Sequence, residues 1–169
     1  RIFEVAKKIK KTKMIIDIQG DEPLVDPKDI DRVIDFHKKN SHFDIVVPCM
    51  KANTNINSRN LVKVVFSENG KILYFSRAQV PFDYKDKKIN YYRDLSIVSF
   101  KPDALKKYST LKMGIIEKIE GIELIRAIEN NLNLGTFIAK GSGFAVDVNQ
   151  DLMKAIDVMP KDKIRKLYS

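Results

Sequence analysis

Met14-Ile-Ile-Asp-Ile-Gln-Gly-Asp-Glu-Pro23 is the stretch that decides how this chain folds. A short apolar run stops there in turn residues, and a run of that length with such a boundary reads as a buried strand of an open α/β sheet. Gly20 and Pro23 turn the chain, which sets Asp21 at the strand's carboxyl edge, where such sheets bind their ligands. A carboxylate held at that edge suits a metal ion carrying nucleotide phosphates. Asp21 reads equally well as the cap of a helix starting near Pro27, and spacing alone does not separate the two.

Outward from this strand, residues 1–11 read as a helix with Ile2, Val5, Ala6 and Ile9 on one face. Residues 27–39 predict a second helix, with Pro27 in its first turn. A strand at 43–49 and a polar loop lead to Leu61-Val-Lys-Val-Val-Phe66 and Lys71-Ile-Leu-Tyr-Phe75, which flank Ser-Glu-Asn-Gly and predict a hairpin. A charged loop over 79–90 precedes a strand near 91–100 and a short helix from Pro102 to about Tyr108. Residues 115–130 predict one longer helix with Ile115, Ile119, Ile122, Ile125 and Ile128 toward the core. Strands near 134–139 and 143–146 follow, then a helix from Asn149, which can serve as its N-cap. The alternation argues for a mainly parallel α/β sheet with the hairpin as an antiparallel insertion, in one domain over residues 1–169. The chain opens on a helix with no strand before it and carries no glycine-rich phosphate loop, the unit with which nucleotide-binding α/β folds usually begin. Either the fold does without that unit or this chain lacks it.

The 44% hydrophobic and 31% charged residues are those of an ordinary water-soluble protein, and no run is long and apolar enough to span a bilayer. The first residues carry no signal-peptide pattern. The single Cys49 lies in the apolar run Ile45-Val-Val-Pro-Cys-Met, as a buried inert thiol in a reducing compartment would, which points to the cytoplasm. The net charge of +9 raises a nucleic-acid reading, but only seven of the 31 basic residues are arginine and they form no stripe. A basic surface of this kind favours an anionic small substrate over nucleic acid or membrane.

Asp147, in Lys140-Gly-Ser-Gly-Phe-Ala-Val-Asp-Val-Asn149, repeats the logic of Asp21: a short apolar run ending in an acid before a helix. Two acids at neighbouring strand ends could hold Mg²⁺, which binds through one or two carboxylates plus substrate phosphates and water. Taken alone, Asp147 reads as readily as a turn or capping residue. Arg77 closes a strand, where an arginine can grip a carboxylate or phosphate with two parallel hydrogen bonds or can simply face water. Glu117, Glu120 and Glu123, with Arg126, stand at steps of three and by themselves read as a solvated helix face. His37 and His42 have no metal-ligand spacing and read as surface residues.

Taken in order, Gln19-Gly-Asp-Glu-Pro23, Asn60-Leu-Val-Lys-Val-Val65, Leu73-Tyr-Phe-Ser-Arg-Ala78 with Val80-Pro81, Glu117-x-x-Glu120-x-x-Glu123-x-x-Arg126 and Ala145-Val-Asp147 resemble one family. It is the cytidylyltransferases that activate 3-deoxy-manno-octulosonate (KDO), a sugar acid, as its CMP derivative for lipopolysaccharide biosynthesis. The resemblance implies a Rossmann-like, three-layer fold of the nucleotide-diphospho-sugar transferase type, a homodimer, and a Mg²⁺-dependent reaction of CTP with a sugar acid. On it, Asp21 and Asp147 hold Mg²⁺, Arg77 and Arg93 meet the anionic substrate, Gln19 makes a polar contact nearby, and Glu123 belongs to the substrate site. The family's arginine-rich phosphate loop is missing, which implies that its N-terminal portion is absent here and that this piece alone does not bind CTP productively. The family's His-Leu-Gly-Ile-Tyr is replaced by Asp94-Leu-Ser-Ile-Val98, and its Glu-Gln-Leu-Arg by Glu123-Leu-Ile-Arg126. An acid at 94 suits an amino-bearing or otherwise altered sugar acid better than KDO. From a different class, the chain could be a non-catalytic α/β module for assembly or ligand sensing, built on the same fold.

Overall fold

The computed structural model describes residues 1–9, 11–52, 56–141 and 143–165. Its elements are helix α1 (Ile2–Ala6), strand β1 (Ile15–Ile18), helix α2 (Pro27–Lys39), strands β2 (Ile45–Val46), β3 (Cys49–Lys51), β4 (Lys63–Phe66), β5 (Ile72–Ser76), β6 (Tyr92–Asp94) and β7 (Ile97–Phe100). Helices α3 (Pro102–Thr110), α4 (Ile115–Glu120) and α5 (Ile125–Glu129), strand β8 (Leu134–Gly135), helix α6 (Asn149–Val158) and a 3₁₀ turn (Met159–Lys161) complete it.

The strands form two four-stranded sheets, ordered β1-β7-β2-β8 and β3-β6-β4-β5. In the first, β2 runs parallel to β8, and β7 runs against both β1 and β2. Three strands therefore share one direction and β7 alone reverses, which makes the sheet mixed. The second sheet is antiparallel throughout and contains the β4–β5 hairpin, with a bulge between Val65 and Phe66.

Two continuous stretches belong to both sheets. Pro48 has no amide hydrogen to give to a ladder, and it divides the expected 43–49 strand into β2 in the first sheet and β3 in the second. The expected 91–100 strand divides likewise into β6 and β7. The two crossing points touch, because Leu95 N donates to Pro48 O at 2.9 Å.

Alternation along these strands builds three layers. Ile45, Val98 and Phe100 face a core shared with Leu105, Ile125 and Leu134, under α3 and α5. Val46 and Ile97 face the opposite side and pack with Val33 of α2 and with Phe43. His37 belongs to this second side: it is buried between Ser99 Oγ (2.7 Å from Nδ1) and Phe43 O (3.1 Å from Nε2). Burial lowers its pKa, so the ring is held neutral, with Nε2–H donating to the carbonyl and Ser99 donating to Nδ1. The expectation of a surface residue holds for His42, which is exposed, and fails for His37. Cys49 is buried as expected, and burial pushes its thiol up to about 11.

Other differences have local causes. The helix expected over 115–130 breaks at Gly121, whose φ of 64° ends α4 in a left-handed cap. The break turns the isoleucine row, so Ile122 and Ile125 are buried while Ile115 and Ile119 are 76% and 78% exposed. The cap of α2 is Asp26, whose carboxylate accepts from Lys28 N at 2.9 Å, not Asp21. Residues 143–146 form no strand, and the strand expected over 134–139 keeps only β8, continued by Cys49 N to Phe137 O at 3.0 Å and Ala139 N to Cys49 O at 2.7 Å.

Gly135 is tightly constrained: a β-carbon there would stand 2.3 Å from the Phe43 ring. Gly135→Ala is expected to lower unfolding free energy by about 1–3 kcal/mol through overpacking, read as the denaturant midpoint at unchanged slope. An unchanged midpoint would show that the ring moves aside freely.

Candidate functional site

The carboxyl end of β1 is where the candidate residues gather. Gln19 is exposed there and its N–H donates to Ser96 O at 3.0 Å, so the turn is tied to the start of β7. Gly20 and Asp21 are exposed as well, whereas the next residue, Glu22, is buried. Across from the turn runs the loop over 143–148 that enters α6. Val146 N donates to Asp21 O at 2.8 Å, which lays the two acidic loops side by side. Asp151, in the first turn of α6, accepts from the backbone N–H groups of both Asp147 and Val148 at 3.2 Å and so caps the helix. Asn149, expected in that role, lies within the helix.

The charge of Asp21 reaches Asp147 across this joint. Burial raises the Asp147 carboxyl above its usual range, the charges of Asp21 and then Asp151 raise it further, and Arg77 opposes them. Two carboxylates close enough to repel each other fit a divalent cation, and their hard oxygens are the donors magnesium takes. Among the described residues no group of three or more His, Cys, Asp or Glu could hold an ion unaided. A cation here would therefore need oxygens from a ligand or water. Beside the acids, Gly20, Pro23, Val146, Leu152 and Ile156 line an open groove between the turn and α6.

Both arginines expected to meet substrate are committed to the protein itself. Arg93 Nη1 donates to Glu22 Oε1 at 2.9 Å and to its neighbour's carbonyl, Asp94 O, at 2.8 Å, while Nη2 bonds Gly143 O. Arg77 Nε donates to Glu120 O at 2.8 Å, Nη1 to Arg59 O at 2.7 Å and Nη2 to Gly121 O at 3.3 Å. Three of the five N–H donors of each guanidinium are thereby engaged within the protein. Arg77 still acts on the site at a distance, since its charge lowers the pKa of both Asp147 and Asp94.

The glutamate row of α4 is a clamp and not a solvated face. Glu117 is 2% exposed and receives Arg126 Nε at 2.7 Å and Nη2 at 2.5 Å. Glu120 accepts from Ser76 Oγ at 2.7 Å and Arg77 N at 2.8 Å, which pins the end of β5. Glu123 is exposed; its backbone carbonyl accepts from Tyr108 Oη at 2.9 Å, and its charge helps burial to raise Asp17 on β1. None of the hydrogen bonds among the described residues links the Glu123 side chain to Gln19, Asp21 or Asp147.

Three further charged residues shape this end of the molecule. Glu22 reads as one more acid of a polar turn, yet it anchors Arg93 and accepts from Ser96 Oγ at 3.2 Å. Lys63 is fully buried, with Nζ donating to Ser58 O and Leu61 O at 2.8 Å and to Arg77 O at 2.6 Å. Its place in the midst of the apolar run Leu61-Val-Lys-Val-Val65 was the available hint. Asp94 is half-buried; burial pushes its carboxyl up to about 7 against the pull of Arg93, and the charge of Glu22 adds to the rise.

A family model described as cytidylyltransferase matches residues 1–136. A 3-deoxy-manno-octulosonate cytidylyltransferase of Leptospira interrogans serogroup Icterohaemorrhagiae serovar Lai (strain 56601) is 35% identical over 166 residues, 96% of this chain and 66% of that protein. One of the same name from Rickettsia prowazekii (strain Madrid E) is 35% identical over 148 residues, 87% of this chain and 58% of that protein. The solved structure of a CMP:2-keto-3-deoxy-manno-octonic acid synthetase complexed with CTP superposes with a TM-score of 0.87 at 27% identity, over 94% of this chain and 66% of that one. The chain thus spans about two thirds or less of the length of these relatives.

If the acids converge, Asp21→Asn should return the Asp147 carboxyl toward the ordinary range, because the charge of Asp21 is a cause of its rise. Carboxyl-carbon NMR over a pH series reads this directly, and an Asp147 titration indifferent to Asp21 would separate the two loops.

Proposed function

This chain belongs to the cytidylyltransferase family, and from that premise we propose that its protein transfers CMP from CTP to a sugar acid of the KDO type, releasing pyrophosphate. The observation that carries the reading is the approach of Asp21 and Asp147 across the Val146–Asp21 hydrogen bond. In this reaction the anomeric hydroxyl of the sugar acid attacks the α-phosphorus in line, and the bond to pyrophosphate breaks. Bound Mg²⁺ would neutralise charge on the phosphates and the leaving group. The residues of the chain act by position: Asp21 and Asp147 offer the carboxylates for that ion, and Gln19 and Glu123 serve the substrate side. Arg77 and Arg93 hold backbone in place instead of gripping substrate. Catalysis is then mostly orientation and preset electrostatics. The same reading carries a homodimeric enzyme in the cytoplasm that supplies activated sugar acid for lipopolysaccharide; none of the described helices is long and apolar enough to cross a membrane.

The sugar acid itself is read from position 94. A carboxyl there, beside buried Glu22, forms an acidic corner whose arginine is already engaged. That corner suits a sugar acid carrying an amino group, which would bring its own positive charge.

The complete gene product, given CTP, Mg²⁺ and a panel of sugar acids, is expected to release pyrophosphate, with Asp21→Asn or Asp147→Asn cutting the rate at least about a hundredfold. Absence of release with every sugar acid would favour a non-catalytic module. For an amino-bearing substrate, KM should fall as pH rises from about 6 to 8, because the Asp94 carboxyl becomes charged near 7 while the amine stays protonated. Asp94→Asn should flatten that dependence, and clean turnover of KDO with no preference for the amino compound would remove the substituent from the reading.

A further inference from the structure

The carboxylates of Asp21 and Asp147 sit on separate loops, and neither loop is part of a strand or helix. Something must hold the spacing between them. Only one backbone hydrogen bond between the described residues, Val146 N to Asp21 O, joins the loops directly. Behind it lies a buried ion pair: the Arg93 side chain is 11% exposed and that of Glu22 is 1% exposed. One arm of the guanidinium holds the carboxylate next to Asp21, and the other holds Gly143 O, four residues before Asp147. Arg93 itself stands on β6, within the second sheet, and its partner Lys63 in the β4–β6 register is buried and fully hydrogen-bonded. The anchor is therefore stiff.

Glu22 is fitted to this task. Its Oε1 receives both Arg93 and Ser96, while Oε2 is buried without a hydrogen-bond partner among the described residues. A β-carbon at Gly143 would stand 3.1 Å from that oxygen, so the glycine lets the second loop close directly onto the carboxylate. The fork geometry matters: a planar guanidinium can serve two loops at once, whereas a lysine ammonium is a point charge on a flexible stem.

We propose that Arg93 and Glu22 are positioning residues, a buried bolt that fixes the separation of Asp21 and Asp147 and so sets the affinity of the pair for a divalent cation. The bolt makes no contact with substrate. It rests on the nucleotidyl-transfer reading only for what the two acids hold; the mechanical link stands on the geometry.

The test uses Arg93→Met, Arg93→Lys and, as a control for lost stability, Val33→Ala in the core beneath α2, each as the complete gene product. Amide hydrogen exchange at Val146 reports the joint between the loops, and exchange at Val47, bonded to Gly135 O within the first sheet, reports global opening. Mn²⁺ binding, followed by the electron paramagnetic resonance of free Mn²⁺, reports the acid pair without turnover. Arg93→Met should speed Val146 exchange at least tenfold relative to Val47 and weaken Mn²⁺ binding at least tenfold. Arg93→Lys should fall between it and the wild type, and Val33→Ala should leave both ratios unchanged. Val146 and Val47 moving in step, or undiminished Mn²⁺ affinity in folded Arg93→Met, would overturn the proposal. A wild-type protein that takes up no Mn²⁺ would sink the metal reading, while the exchange ratio would still decide the bolt.

Discussion

Charge burial governs this molecule. Arg93 and Glu22 are almost wholly withdrawn from water, which is tolerable only while each satisfies the other and the remaining donors find carbonyls. Removing one member of such a pair typically costs about 3–5 kcal/mol, since the survivor keeps its desolvation penalty without its partner. The pair therefore selects one arrangement of the loops around it. A chain with an all-apolar contact at this point could be as stable, but it would not dictate where two neighbouring turns lie.

The same device recurs across the second sheet. Glu117 receives Arg126 through two nitrogens, Glu120 takes the end of β5, and Lys63 is solvated by three carbonyls in place of water. Lys63 and Glu120 fasten backbone beyond the strand ends, and Glu117 fixes Arg126, whose Nη1 donates to Leu111 O. Hydrophobic packing sets the layers; buried ions set the connections between them. That division explains why so many charged residues at one end of the molecule bond to the protein's own groups.

The layers were legible in local pattern. Pro27 opening α2, the Ser-Glu-Asn-Gly hairpin, and the apolar run into Gly20-Asp-Glu-Pro23 each carry their own physical signal within a few residues. Gly121 inside an isoleucine row was a readable break, overruled by the apparent helical period. The fastenings were not legible, because their partners are remote: Glu22 meets Arg93 across 71 residues and Arg77 N meets Glu120 across 43. Nothing within a short window distinguishes a glutamate that will be buried from one that will face water. Asp21 has a recognisable local setting, an exposed acid just past the end of β1, whereas the strand expected before Asp147 is a loop; His37 was misjudged because its burial depends on Ser99, 62 residues away.

The crossing of two unbroken backbones at Pro48 and Leu95 also limits how the molecule can move. With β2 running straight into β3, and β6 into β7, no slack linker separates the two sheets. They cannot swing like jaws around a guest. Whatever else bends, the two sheets turn together as one unit about that crossing.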